Sequence, residues 1–167
     1  MQTSRLFLKP FAEEDAAFLI ELYNTPKFLK FVGDRNLHKE GDAVKFIQDK
    51  MISQMEKMGF GNYVIINKES GEKMGGIGIF VRENIEVADI GFSLLPKYEG
   101  NGFVFEAATF LLKNAKENLG LKKVSAITVE KNSASRNLIE KLGLVFLKKI
   151  KLTDDAEELM YYEKSLI

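Results

Sequence analysis

Asp89-Ile90-Gly91-Phe92-Ser93-Leu94-Leu95-Pro96-Lys97-Tyr98-Glu99-Gly100-Asn101-Gly102-Phe103-Val104 is the stretch on which the rest of the chain hangs. The apolar run before Pro96 reads as a strand, and Pro96, which cannot donate a ladder hydrogen bond, marks its end. Gly100 and Gly102 permit a sharp turn and a close approach of backbone to a ligand. From Phe103 the apolar period changes. Val104, Ala108, Leu111, Ala115 and Leu119 fall at steps of three and four, one face of a helix, and Gly120 stops it. A glycine turn feeding a helix start presents unpaired N–H groups and the positive end of a dipole. It is an anion site, and phosphate is the anion it suits.

A second glycine-marked switch lies downstream. Leu121 to Val129 reads as a strand, expected to run parallel to the Glu86–Leu95 strand through a right-handed crossover. Asn132-Ser133-Ala134-Ser135-Arg136-Asn137-Leu138-Ile139-Glu140-Lys141-Leu142-Gly143-Leu144 then reads as a helix. Ala134, Leu138 and Leu142 are expected inward, with Gly143 as the cap.

Around this centre the other elements fall into order. Arg5 to Lys9 is a short strand before Pro10. Glu13, Glu14 and Asp15 crowd a helix start, where the dipole favours acids, and Ala16, Leu19, Ile20 and Tyr23 form its inner face. Asn24-Thr25-Pro26 breaks that helix. Lys27 to Asp34 follows, a short aromatic segment that reads as a helical turn packing two Phe rings on the core. Gly41 to Met58 is a further helix with a Val44, Ile47, Met51, Met55, Met58 stripe, a forgiving core or interface, ended by Gly59. His38 sits just before it in a polar loop and is expected to be solvated. Asn62 to Asn67, Glu72 to Arg82 and Glu86 to Leu95 read as an antiparallel meander. Met74-Gly75-Gly76-Ile77-Gly78-Ile79 imitates a phosphate loop, but strand continues after it and no helix opens there. Its glycines are expected to serve a close strand or ligand approach. Val145 to Leu152 and Glu158 to Lys164 form a closing hairpin. The expected architecture is α/β: one domain over residues 1–167, with a mixed sheet of about seven strands flanked by about four helices.

Composition narrows the function. Lys+Arg and Asp+Glu are equal at 24 each, so no general nucleic-acid or membrane-surface binding is expected. There is no cysteine, hence no disulfide, thiol nucleophile or Cys-based metal site. Met1 to Arg5 carries no signal-peptide pattern, and no apolar run approaches the roughly 18 residues of a membrane helix. The cytoplasm is the expected compartment.

The stretch Tyr98 to Ala107 resembles the acyl-CoA pyrophosphate loop of the GNAT N-acetyltransferases. The Asn132–Leu144 stretch is similar to the Asn-x-x-Ser helix ending in Leu-Gly-Phe of the branch that acetylates the alanine or serine N-termini of ribosomal proteins. The resemblance implies transfer of an acetyl group from acetyl-CoA, as cosubstrate and without a metal, to a primary amine in a ternary complex. It implies cofactor contacts from the backbone of Gly100, Asn101, Gly102, Phe103 and Val104, and pantetheine pairing at Leu94 and Leu95. Asn132 has two open readings, a pantetheine contact and a helix N-cap. The Lys27–Asp34 segment becomes the lip of an acceptor pocket. The acceptor amine is a peptide or protein N-terminus or a small molecule, and the assembly a monomer or homodimer.

Four positions depart from the family pattern, among them Val104 at the loop's small position and Leu144 in place of the usual Phe. Glu99 stands where Gln or Arg is usual, an unfavourable acid beside a pyrophosphate unless its side chain turns outward. Ile139 stands where the commoner family solution places a Tyr donor. Ser135 is then the candidate to protonate the leaving thiolate, against a capping or back-bonding role in the first helical turn; Tyr98 is second, against a packing aromatic. Asp89 and Glu130 are candidate bases, each otherwise a surface acid. Two alternatives to catalysis stay open: a CoA-binding regulatory module without turnover, and an unrelated phosphate- or nucleotide-binding α/β domain.

Overall fold

The computed structural model describes residues 1–167. Its seven strands, β1 (Leu6–Pro10), β2 (Asn62–Asn67), β3 (Lys73–Arg82), β4 (Ile85–Leu94), β5 (Lys123–Val129), β6 (Val145–Ile150) and β7 (Leu159–Ser165), lie in the order β1-β2-β3-β4-β5-β7-β6, with β4 and β5 parallel and the other described pairs antiparallel. The chain divides into two compact units, residues 1–78 with 92–107, and residues 79–91 with 108–167.

In the first unit, β1 (Leu6–Pro10) pairs with β2 (Asn62–Asn67), from Leu6 opposite Asn67 to Pro10 opposite Tyr63. β2 pairs in turn with β3 (Lys73–Arg82), Asn62 opposite Gly78. Two glycines of β3, Gly75 and Gly78, serve close strand approach. A Cβ on Gly75 would lie 2.3 Å from the Ser93 carbonyl oxygen, and one on Gly78 would lie 2.5 Å from that of Gly61. Real Cβ atoms do not come that close, so backbone meets backbone only because side chains are missing.

Helix α1 (Ala16–Tyr23) follows a 3-10 turn at Glu13–Asp15. Its buried Leu19 and Leu22 join Phe11, Ile47, Met51, Val64 and Leu95 in one core. α2 (Pro26–Phe31) starts with Pro26 in the first helical position and Thr25 as its cap, so the same Asn-Thr-Pro that stops one helix begins the next. Phe28 stacks on Tyr23 at 4.1 Å between centroids, whereas Phe31 stays half-buried. Only one of the two expected rings enters the core, Phe28 and not Phe31.

The long helix of the sequence reading is three segments: α3 (Glu40–Phe46), a π-helical stretch at Ile47–Ile52, and α4 (Ser53–Met58), ended by Gly59 at φ 73°. Ala43, Ile47 and Met51 are its buried residues. Their repeat of four drifts around an ordinary helix, and a wider i→i+5 turn brings such a repeat back towards one side. Met58 is exposed, so the methionine stripe is core only in its first half.

Asp15 is fully buried yet ionic. It accepts from Lys73 at 2.6 Å, Lys9 at 3.0 Å and the Ala12 N–H at 2.9 Å. Burial pushes its carboxyl up, but the Lys73, Ala12 and Lys9 bonds outweigh that and hold it below the ordinary value.

In the second unit, β5 (Lys123–Val129) pairs antiparallel with β7 (Leu159–Ser165), which pairs with β6 (Val145–Ile150). The expected parallel crossover is present: Asp89 of β4 (Ile85–Leu94) stands opposite Ser125 of β5. Ser125 Oγ donates to the Val87 carbonyl at 2.8 Å. Val124, Ala126, Ile139, Leu142, Leu144 and Tyr162 are buried. Helix α5 (Phe103–Glu117) has residues in each unit, and α6 is Ser133–Lys141. The helical bodies number five rather than about four, the extra one being α2. The expected inner face of α6 is corrected as well. Ala134 is exposed, and Ile139 and Leu142 are the buried positions. Of the expected inward residues Leu142 is buried and Leu138 half-buried, while Ile139, not expected there, is buried as well.

Candidate active site

The glycine turn is built on a fixed base. Leu95 N–H donates to the Met74 carbonyl at 2.8 Å, tying the end of β4 to β3. A 3-10 turn at Pro96–Tyr98 follows, then extended Glu99. Gly100 and Gly102 take φ of 77° and 76°, the left-handed region that other residues enter at a cost. A Cβ on Gly100 would meet nothing within 4 Å, so the turn is open on that side. Asn101 braces it from within, its side-chain amide donating to the carbonyls of Glu99 at 3.0 Å and Tyr98 at 3.2 Å. Helix α5 begins at Phe103, with Glu106 N–H bonded to the Gly102 carbonyl at 3.0 Å. The amides ahead of that bond have no partner within the helix. The turn and the first turn of α5 thus present a row of backbone N–H groups, an arrangement that suits an anion.

Glu99 does not sit beside the turn as a free acid. Its carboxylate pairs with Lys27 of α2. On the other shoulder stands Arg5. Its Nη1 donates to the Asn101 carbonyl at 3.0 Å and its Nε to Glu106 at 2.6 Å, and its guanidinium lies 4.5 Å over the Phe103 ring. Glu106 also accepts from Thr3 Oγ1 at 2.6 Å and the Arg5 N–H at 2.8 Å. Burial pushes the Glu106 carboxyl up, and the Thr3 and Arg5 bonds more than offset it, leaving it below the ordinary carboxylate value.

Tyr98 packs its ring against the core of the first unit, and its hydroxyl is buried there without a hydrogen-bond partner. It is the packing aromatic of the sequence reading. Leu94, Leu95, Tyr98 and Gly100 to Val104 all belong to the first unit.

Asp89, Asn132 and Ser135 belong to the second. Asn132 caps α6, its side chain accepting from the Ser135 N–H at 3.2 Å, so the N-cap reading of Asn132 is correct. Ser135 enters that cap through its amide. Asp89 is corrected too. It is buried, not a surface acid, and bonds Arg82 through Nε at 2.6 Å and Nη2 at 3.3 Å. Burial pushes its carboxyl up against the pull of the Arg82 guanidinium. Glu130 is exposed and pairs with Lys149 at 3.1 Å. His38 is exposed, 3.5 Å from Asp34.

Sequence reasoning missed Thr3, Arg5, Lys27 and Glu106. Glu106 lay inside the motif itself, but its partners stand a hundred residues earlier in the chain, and no local pattern joins them.

The architecture so far is a mixed α/β sheet with an anion-type turn opening the helix after its fourth strand. The description of an acetyltransferase (GNAT) domain matches residues 5–145, and the chain belongs to that family. The uncharacterized N-acetyltransferase YoaA of Bacillus subtilis is 26% identical over 144 residues, 86% of this chain and 81% of that protein. Among solved structures, the ribosomal-protein-S5-alanine acetyltransferase of Vibrio fischeri matches with a TM-score of 0.81 at 15% identity, over 99% of this chain and 95% of that one. The microcin C7 self-immunity acetyltransferase MccE, solved with acetyl-CoA and AMP, matches at 0.80 and 19% identity, over 98% and 93%. These two likenesses concern the fold. No helix is long and apolar enough to cross a membrane.

Proposed function

We propose that this protein, as a single catalytic domain, transfers the acetyl group of acetyl-CoA directly to a primary amine, a peptide or protein N-terminus or a small molecule, in a ternary complex. The observation that carries the reading is the pair of left-handed glycines at the start of α5, a backbone site for a pyrophosphate. The acetyl-CoA bound by MccE supports the same ligand here. When bound, acetyl-CoA supplies an activated acyl carbon. The amine nitrogen attacks that carbon, the C–S bond breaks, the nitrogen sheds a proton and the thiolate takes one up. Gly100 to Val104 hold the pyrophosphate through N–H groups. The strand end at Leu94 and Leu95 lies along pantetheine, with Leu95 N–H already committed to Met74. Ser135, whose hydroxyl takes no part in the α6 cap, is the proton donor to the thiolate. Asp89 is already engaged by Arg82, and an amine neutral at the working pH needs no dedicated base.

Thermal denaturation with acetyl-CoA, followed by release of free thiol with a panel of amines, tests the reading. Ligand at a hundred times its Kd should add about 2.7 kcal/mol of stability. No shift at millimolar acetyl-CoA rejects the site. A shift without thiol release for any amine leaves a CoA-binding module without turnover.

A further inference from the structure

We propose that Arg5 is a positioning residue for the acetyl-CoA pyrophosphate, a role that rests on the acetyl-CoA reading above. One guanidinium makes two directed bonds around the loop, Nε to Glu106 at 2.6 Å and Nη1 to the Asn101 carbonyl at 3.0 Å. Phe103 lies beneath it at 4.5 Å. The third nitrogen, Nη2, is 3.6 Å from where a Cβ of Gly102 would stand. Arg5 therefore touches or flanks every residue from Asn101 to Phe103.

The bond to Asn101 decides what the loop can do. In a planar trans peptide the carbonyl and the following N–H point in opposite directions. Holding the Asn101 carbonyl towards Arg5 aims the Gly102 N–H the other way. Gly102 has no side chain to limit its rotation, so without that bond the peptide would be free to swing. Glu106 keeps the guanidinium in place, and Thr3 Oγ1 and the Arg5 amide keep Glu106 in place. Glu106 also offsets the Arg5 charge, and Lys27 offsets Glu99. Arg5 thus works by orienting the loop amide, not by adding a net positive field at the phosphates.

The test compares two acetyl donors on wild type, Arg5→Ala and Arg5→Lys: acetyl-CoA, which carries the pyrophosphate, and S-acetylpantetheine, which lacks it. Arg5→Ala is expected to raise the KM for acetyl-CoA and the Kd for CoA by about tenfold or more, the worth of a charge-assisted bond. The kcat at saturating acetyl-CoA and the kcat/KM for S-acetylpantetheine should stay at wild-type values. Arg5→Lys should not rescue, because an ammonium cannot keep both directed bonds. Glu106→Gln, which retains a hydrogen-bonding group but no charge, should show the same donor-selective loss in milder form and serves if Arg5→Ala folds poorly. Equal loss with both donors, unchanged KM for acetyl-CoA, or full rescue by Lys overturns the proposal. Failure of the wild type to bind CoA overturns the acetyl-CoA reading itself, so the two failures are distinct.

Discussion

Lys27, in the first turn of α2, pairs with the carboxylate of Glu99, the residue directly before the Gly100-Asn101-Gly102 turn. An acid beside a phosphate site is a contradiction in isolation; paired with a cation it becomes a link between α2 and the loop. Both side chains retain more than a third of their exposure, so the pair itself contributes little to stability.

Glu99→Gln should accordingly leave stability within about 1 kcal/mol of wild type and bind CoA equally or more tightly, since a nearby negative charge is gone and Lys27 is released. Calorimetric titration with CoA reads this. A marked loss of affinity would show that the Lys27–Glu99 link shapes the loop.

Gly102→Val should abolish measurable binding at concentrations that saturate the wild type. The obstacle is conformational rather than spatial. A Cβ there meets only Arg5 Nη2, at 3.6 Å, but φ is 76°. Forcing a β-branched residue into that region costs about 1–3 kcal/mol. The loop is expected to relax into another shape that no longer presents its amides. A melting curve beside the titration shows whether the loss is local.

Ser135→Ala should lower kcat more than it raises the KM for acetyl-CoA, because a proton on the leaving thiolate is needed as the transition state breaks down. General-acid help is worth about 10²–10⁴-fold. Stability should barely change, since Asn132 supplies the cap. Asn132→Ala is the control and should cost about 1 kcal/mol of stability. Normal kcat in Ser135→Ala would remove it as the donor.

Asp15→Asn should destabilise the fold by about 3 kcal/mol at neutral pH, as two lysines lose a buried partner. The sign of the pH dependence follows from its lowered carboxyl. Its contribution is present above the ordinary value of 3.8 and is lost as pH falls through the lower native value. Melting temperatures of wild type should therefore drop across that acid range, and those of Asp15→Asn should drop less.

Much of the fold can be read from local pattern. The two glycine switches, the Asn24-Thr25-Pro26 break, and Gly59 and Gly143 at helix ends all depend on neighbours within a few residues. The errors also have local causes. The π turn at Ile47–Ile52 reflects how a repeat of four settles against a core, which periodicity alone does not reveal. In α6, Ile139 rather than Ala134 is buried, a difference that apolar spacing alone does not reveal.

By itself the sequence determined the family, the order of elements and the glycine turn that opens α5, because turns, caps and periods are short-range chemistry written in adjacent residues. Only the tertiary structure decided what surrounds that loop. Lys27 and Glu99 stand 72 residues apart and Arg5 and Glu106 stand 101 apart, and the burial that turns Asp89 from a surface acid into an Arg82 partner exists only once the sheet is formed. Charge pairing acts through space rather than along the chain, so the partners of a loop cannot be read until the fold has brought them to it.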